Sequence, residues 1–391
     1  MKKFSMKKTA LSFVAFIKRE PVLFAAILLA VVSVCIIRPA PVVCVQAIDF
    51  RTIAILFSLM IVIKAFQSQN FLDVIAARLL RLCKTRRSLY FLLTYLVFFS
   101  SMFVTNDVAL LTFVPISLLI FRQIKLSSLH LVILETLAAN LGSCSTPMGN
   151  PQNLFLFSYY HFSALEFFAL TARIAVPSLF ILGIMILFLT RNKIASHGGF
   201  EEPHVISGNT LQTQMAFLKM DFRTLFYVVD FVLCLLTVFH VVDYLVMLGA
   251  VVVTMLFCNV RLFRKVDYSL LLTFAGFFIF TKTISTVPAF SEFVQSLLSS
   301  PLRTYLTGIA SSQVISNVPA ALLLSGFTDN GAMLLLAVNV GGLGTLIASM
   351  ASVISFKLYT ASNPGDGRYF GLFTLYNVVL LGILGVIVYL L

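Results

Sequence analysis

Charge is what this sequence has least of. Only 11% of its 391 residues are Asp, Glu, Lys or Arg, against 60% hydrophobic residues that include 39 Phe. A water-soluble fold has nowhere to hide that much apolar surface. The six cysteines are scattered with no C-x-x-C pair, which removes both a disulfide framework and a thiolate metal site. The five histidines have no metal-like spacing, Ser145 lacks a Gly-x-Ser-x-Gly elbow, and no nucleotide-binding motif is present. The expectation is a protein that is not an enzyme, with no cofactor beyond a coupling sodium ion or proton. The start, "MKKFSMKKTALSFVAFIKRE", has no small-residue cleavage site. Residues 1–20 therefore read as a retained cytoplasmic segment and not as a signal peptide.

What is present is a series of apolar stretches from Pro21 to Leu391, each near the roughly 20 residues that a helix needs to cross a membrane. The fold class is an all-α polytopic membrane protein, and the lipid bilayer is its first partner. The formal net charge of +13 could point to nucleic acid, but the basic residues punctuate the spans. Lys2 to Arg19, Arg78 to Arg87, Arg122 with Lys125, Arg191 with Lys193, Lys219 with Arg223, Arg261 to Lys265, and Lys357 with Arg368 make 22 of the 28 Lys and Arg if all face the cytoplasm. That asymmetry is the positive-inside signature and leaves no nucleic-acid surface. Lys64, Arg173 and Lys282 fall at membrane depth.

Spans are expected at 21–38 and 50–66, with an amphipathic segment "FLDVIAARLLRLCKTRR" on the cytoplasmic face after them. From Ser88 to Phe121 the chain is mostly apolar and basic at both ends. As one helix it would run roughly 51 Å at about 1.5 Å per residue, too long for a single crossing. Its middle, "SSMFVTND", has the polar residues that a turn requires. The reading is a re-entrant hairpin over 88–121 with its tip at Thr105, Asn106 and Asp107. A helix over 126–160 is broken by "NLGSCSTPMGNPQN", a span follows at 165–190, and 191–221 is a cytoplasmic linker. Spans at 222–240, 243–260 and 268–286 come next, then an amphipathic piece near 289–300, a second hairpin over 301–328, a second broken helix over 330–360 and a last span at 369–391.

The halves repeat. "FVTNDVALL" parallels "VISNVPAALL", with Asn106 on Asn317. "ANLGSCSTPMGNPQN" parallels "VNVGGLGTLIASMAS", with Asn140 on Asn339, Gly142 on Gly341 and Thr146 on Thr345. "IDFRTIAILFSLMIV" parallels "VDYSLLLTFAGFFIF". The unpaired span at 222–240 inverts the second repeat, 243–391, relative to the first, 21–190. Inverted repeats with broken helices are the architecture of secondary transporters.

A helix broken at membrane depth survives only where it lines a protein-enclosed or watery cavity. Asn150 suits an N-cap and Pro151 the first helical position, so a half-helix should begin there with an anion-attracting end. Upstream, carbonyls freed near Leu141, with Gly142 and Gly149 letting the backbone bend, suit a bare cation. Asp107 is a carboxylate at a mid-membrane tip, a place where such groups mark ion or proton paths or else cap a helix. Glu135 is a second candidate proton carrier, unless a Lys or Arg pairs with it.

"TNDVALLTFVP", "GSCSTPMGNPQN", "SQVISNVPAALLL" and "AVNVGGLGTLIAS" resemble the paired motifs of the ion transporter superfamily, which includes citrate and dicarboxylate permeases, arsenite pumps and sodium/proton antiporters. Within it the likeness is to YbiR-like anion permeases of bacterial inner membranes, over about 21–391. The resemblance implies a dimerising scaffold, hence a homodimer, and an elevator-like transport domain. It also implies a small anionic substrate, a carboxylate or oxyanion, coupled to protons or sodium, with antiport or arsenite efflux as the alternatives. Substrate would meet Thr105, Asn106, Thr146, Asn150 and Asn153 in one half and Ser316, Asn317, Thr345 and Ser349 in the other. Coupling falls to Asp107, Glu135, Asn140, Gly142 and Gly149, with Asn339 and Gly341 opposite. A sodium ion is expected at Asn106, Asp107, Asn140 and Gly149. The tips read Thr105-Asn106-Asp107 and Ser316-Asn317-Val318 where carboxylate transporters carry Ser-Asn-Thr twice. Asp107 is the feature shared with the arsenite and sodium/proton branches.

Overall fold

The computed structural model describes residues 20–69, 80, 83, 85–191 and 222–391, and among these the regular structure is entirely helical. The N-terminal segment up to residue 19, most of the amphipathic stretch after the second span and the linker 192–221 lie outside the described residues. The first helices are α1 (Pro21–Ile37), α2 (Pro41–Ala47) and α3 (Phe50–Ser68). Asp49 caps α3 by accepting from the Thr52 amide at 3.0 Å, which fixes where the helix begins. Next come α4 (Arg86–Val104), α5 (Asn106–Gln123), α6 (Leu129–Ser143), α7 (Pro151–Tyr159) and α8 (Ala164–Leu189). After the linker follow α9 (Phe222–Val238), α10 (Tyr244–Cys258), α11 (Tyr268–Ile284) and α12 (Pro288–Leu297), the last bent from α11 by 108°. The chain ends with α13 (Pro301–Ile315), α14 (Asn317–Leu324), α15 (Gly331–Val340), α16 (Met350–Ser362) and α17 (Arg368–Leu390).

Helices α3, α4, α5, α8 and α17 are each long and apolar enough to cross a membrane, and α1, α6, α10 and α15 are shorter apolar helices. The protein is an all-α polytopic membrane protein. The two arms joined at Thr105 are longer than the sequence suggests. One residue makes the turn, so α4 and α5 keep 19 and 18 residues, each enough to cross by length alone. They pack against each other and both pack against α6.

Packing sorts the helices into two groups. Helices α1, α3, α9, α10 and α11 pack mainly on one another, with Gly276 of α11 so close to α1 that an added Cβ would stand 3.1 Å from the Ala26 carbonyl carbon. The other group joins α4–α6 and α8 to α13 and α15–α17, with α7 and α14 lying between the groups. Asp230 is 2% exposed on α9. Its Oδ1 accepts from the Thr254 hydroxyl at 3.3 Å, and its Oδ2 has no hydrogen-bond partner among the described residues.

Candidate functional site

The two breaks at Thr105 and Ser316 have nearly the same backbone, φ 72° and ψ 152° against φ 75° and ψ 154°. A side chain at such a positive φ is strained, and persists only where its surroundings hold it. The next residue is Asn at both places. Asn106 Oδ1 accepts the Asp107 amide at 2.9 Å, and Asn317 Oδ1 accepts the Val318 amide at 2.9 Å. Each asparagine therefore quiets one free N–H of the helix it begins. Asp107 is not the cap. Among the described residues its Oδ1 is shielded from solvent with no hydrogen-bond partner, and Lys64 on α3 and Asp267 at the start of α11 lie within electrostatic reach without an ion pair to it.

The first broken helix is built as its sequence requires on the downstream side. Asn150 caps α7 by accepting the Asn153 amide at 2.9 Å, with Pro151 at the first helical position. On the upstream side the carbonyls expected to be free for a cation are occupied. Asn153 Nδ2 donates to the Ser143, Cys144 and Thr146 carbonyls at 3.4, 3.0 and 3.1 Å, and the Gly149 carbonyl accepts the Asn106 amide at 3.2 Å. The glycines answer to packing. A Cβ on Gly142 would lie 2.1 Å from the Phe98 carbonyl oxygen, one on Gly149 2.1 Å from the Ser143 carbonyl oxygen, and one on Gly341 2.8 Å from Ser312 Oγ.

Thr146 and Thr345 serve matching purposes. Each hydroxyl donates to a carbonyl four residues ahead of a tip asparagine, Thr146 to Met102 and Thr345 to Gln313, the latter at 3.0 Å. They clasp α4 to the segment after α6 and α13 to the segment after α15. Thr146 is buried there and Thr345 is exposed.

The halves meet through asparagine. Asn140 Oδ1 accepts from Ser349 Oγ at 2.9 Å, and Asn140 Nδ2 reaches Ser352 Oγ at 3.4 Å. Reciprocally, Asn150 Nδ2 donates to Asn339 Oδ1 at 3.2 Å, and Asn339 Nδ2 donates to Asn153 Oδ1 at 2.6 Å. Ser143 Oγ links the two by donating to the Asn140 carbonyl and accepting from Asn150 Nδ2. Asn106 Nδ2 joins at Asn140 Oδ1 at 3.4 Å. Of the expected residues, Asn106, Asn140, Asn150, Asn153, Asn339 and Ser349 thus form one buried network, while Asn317 lies against Gly342 beside it.

Ser143, Ser352, Gln313 and Lys64 were not singled out from sequence. Ser352 could have been, since it stands opposite Asn153 in the paired motifs, and Lys64 already stood at membrane depth. Chemically the network is neutral, made of amides and hydroxyls that both donate and accept. Among the described residues no cluster of three His, Cys, Asp or Glu could hold a metal ion.

Comparison with known proteins agrees with this architecture. A family model described as citrate transporter matches residues 13–332. The chain is 33% identical to the uncharacterized transporter MJ0456 of Methanocaldococcus jannaschii over 327 residues, 82% of this chain and 84% of the relative. It is 30% identical to the inner membrane protein YbiR of Escherichia coli over 344 residues, 86% and 85% of the two chains. A shorter likeness, 30% over 122 residues, 31% of this chain and 15% of the relative, is to the P protein of Mus musculus.

Proposed function

Since the chain belongs to the citrate transporter family and is a membrane transporter, we propose that it moves a small anion, a carboxylate or oxyanion, by alternating access coupled to protons or sodium. The observation that carries this reading is the reciprocal asparagine network. Buried polar side chains in a membrane protein mark substrate and ion paths, and here they come from the two broken helices at the point where the halves touch. With no Lys or Arg bonded into the network among the described residues, an anion would be held by amides, hydroxyls and the N-terminal ends of α5, α7 and α14.

The two packing groups support an elevator, in which α4–α6, α8, α13 and α15–α17 slide past a scaffold of α1, α3 and α9–α11 that pairs with a second copy. The matching breaks at Thr105 and Ser316 and the matching clasps of Thr146 and Thr345 support an inverted repeat with two hairpins. The membrane proposed is the bacterial inner membrane, with the N-terminus cytoplasmic and the C-terminus outside. Sodium/proton antiport is a second reading, favoured by the unpartnered Asp107 Oδ1.

A thermal-shift screen of the purified chain tests both, because ligands that bind the native state raise its melting temperature. Citrate, other carboxylates, arsenite and sulfate are each tried with and without sodium. Stabilisation by an anion supports the first reading. Stabilisation by sodium alone, with no response to any anion, would replace it with the second.

A further inference from the structure

Glu135 stands apart from the network yet shares its helix. It is completely buried on α6, five residues before Asn140. One oxygen accepts from the Ser117 hydroxyl of α5, and the other, Oε2, has no hydrogen-bond partner among the described residues. Among the described residues no Lys or Arg pairs with it. Tyr90 of α4 and Tyr369 of α17 lie within its electrostatic reach, and a cluster of charged and titratable groups that interact with one another stands nearer the starts of the same helices. Arg86 and Tyr90 stand on α4, with the guanidinium 5.4 Å from the Tyr90 ring centroid. His130 stands on α6 itself, bonded at 2.9 Å to Tyr376 of α17. Arg368 and Tyr369 also stand on α17. Arg86, His130 and Arg368 lie at the starts of their helices, so Glu135 sits between that end of the bundle and the amide network.

A line of hydroxyls joins the same two places. Asn140 Nδ2 reaches Ser352 Oγ, Ser355 Oγ donates to the Ser352 carbonyl at 3.1 Å, and Ser355 Oγ shares a 2.9 Å hydrogen bond with Tyr369 Oη. Tyr369 is fully buried, stacked on Tyr359 with ring centroids 4.7 Å apart, and within electrostatic reach of Glu135.

We propose that Glu135 binds the proton that couples transport, at a site separate from the anion network and tied to it through α6. This rests on the transporter reading above. A buried carboxylate with one hydrogen bond and no counter-charge is costly, and the cost is relieved when the group takes up a proton or meets water. In the closed arrangement Oε2 carries the proton as a neutral acid while Oε1 keeps its bond from Ser117. When water enters between the starts of α4, α6 and α17, the O–H bond breaks, the proton passes to that water and the carboxylate is solvated. The charged form therefore favours the open arrangement and the neutral form the closed one, which makes α6 the element that both proton and anion bias.

The test needs no known substrate. Infrared difference spectra of the reconstituted full chain between mildly acidic and alkaline pH should show the carbonyl band of a buried protonated carboxyl. Glu135→Gln should remove it, and Asp107→Asn should leave it. Ser117→Ala, which removes only the hydroxyl that supports the carboxylate, should shift the band's titration midpoint to higher pH. In proteoliposomes given citrate as probe, Glu135→Gln should keep citrate exchange and lose accumulation driven by a pH gradient. With Asp230, a second buried carboxyl with an oxygen unpartnered among the described residues, changed to Asn in every sample, the band surviving Glu135→Gln, or its absence while Glu135 is in place, overturns the proposal. Wild type that shows the band yet ignores every anion in the thermal screen would overturn the anion reading alone.

Discussion

Asn140 and Asn339 reach across to equivalent places in opposite halves. Asn140 bonds Ser349 and Ser352, which lie ten and thirteen residues after Asn339, and Asn339 bonds Asn150 and Asn153, which lie ten and thirteen residues after Asn140. Each asparagine lies in the last turn of its helix, α6 or α15, and bonds the cap residue of α16 or α7 in the other half of the chain. The starts of α7 and α16 are therefore each held by the opposite half of the chain.

The clearest stability prediction concerns Gly142. A Cβ there would stand 2.1 Å from the Phe98 carbonyl oxygen and 2.5 Å from Ser101 Oγ, and backbone cannot retreat cheaply. Gly142→Ala should cost more than about 2 kcal/mol and sharply lower the melting temperature. Gly249, with nothing within 4 Å of the same added atom, is the comparison. Gly249→Ala should be neutral or stabilise α10 by up to about 1 kcal/mol.

Thr105 and Ser316 hold side chains at positive φ, a strain of about 1–3 kcal/mol each that glycine does not feel. Thr105→Gly and Ser316→Gly should each raise the melting temperature, by about 1 kcal/mol in stability after the entropy cost of glycine. Transport should fall as the tips lose their fixed geometry. A glycine variant less stable than wild type would mean that the Thr or Ser side chain contributes more through its contacts than it costs in strain.

Much of this was legible because breaks in membrane helices have loud signals. The Asn150-Pro151 start and the turn in "SSMFVTND" were each readable from caps and polar residues amid apolar runs. What the sequence conceals is where a flexible amide spends its hydrogen bonds. The carbonyls near Leu141 looked free for a cation, and Asn153 takes those of Ser143, Cys144 and Thr146. The contact between Asn339 and Asn153 joins residues 186 apart and has no local signature.

Asp107 and Lys64 give the electrostatic prediction. Asp107→Asn removes a negative charge beside the proposed anion path, and a carboxylate within a few ångströms contributes about 1 kcal/mol or more in partly solvated surroundings. Anion affinity, read by calorimetry, should rise several-fold and lose its sodium dependence, while its pH dependence, assigned to Glu135, should remain. Lys64→Met should do the opposite to affinity. Unchanged affinity in both variants would remove this corner from the site.

The loop before α17 supplies a pH prediction outside the spans. The Arg368 guanidinium, 2.8 and 2.9 Å from the two Asp366 oxygens, and the Tyr359 hydroxyl hold the Asp366 carboxyl well below the usual carboxylate range. A depressed carboxyl stabilises the fold above its unfolded value, and the stabilisation is lost as pH falls through the folded value. Asp366→Asn should thus lower the melting temperature modestly at neutral pH, with the gap closing only in strong acid. A gap that closes near neutrality would contradict the pairing.

The most direct test of a single anion site shared by the two halves is equilibrium binding to Asn140→Ala and Asn339→Ala, using whichever anion most raises the wild-type melting temperature. Each change leaves buried partners unsatisfied, at a cost of about 1–3 kcal/mol to the unliganded fold. The account predicts that both variants still fold and that both lose at least tenfold in affinity, although the two residues belong to different halves. Full wild-type affinity in either variant would contradict it.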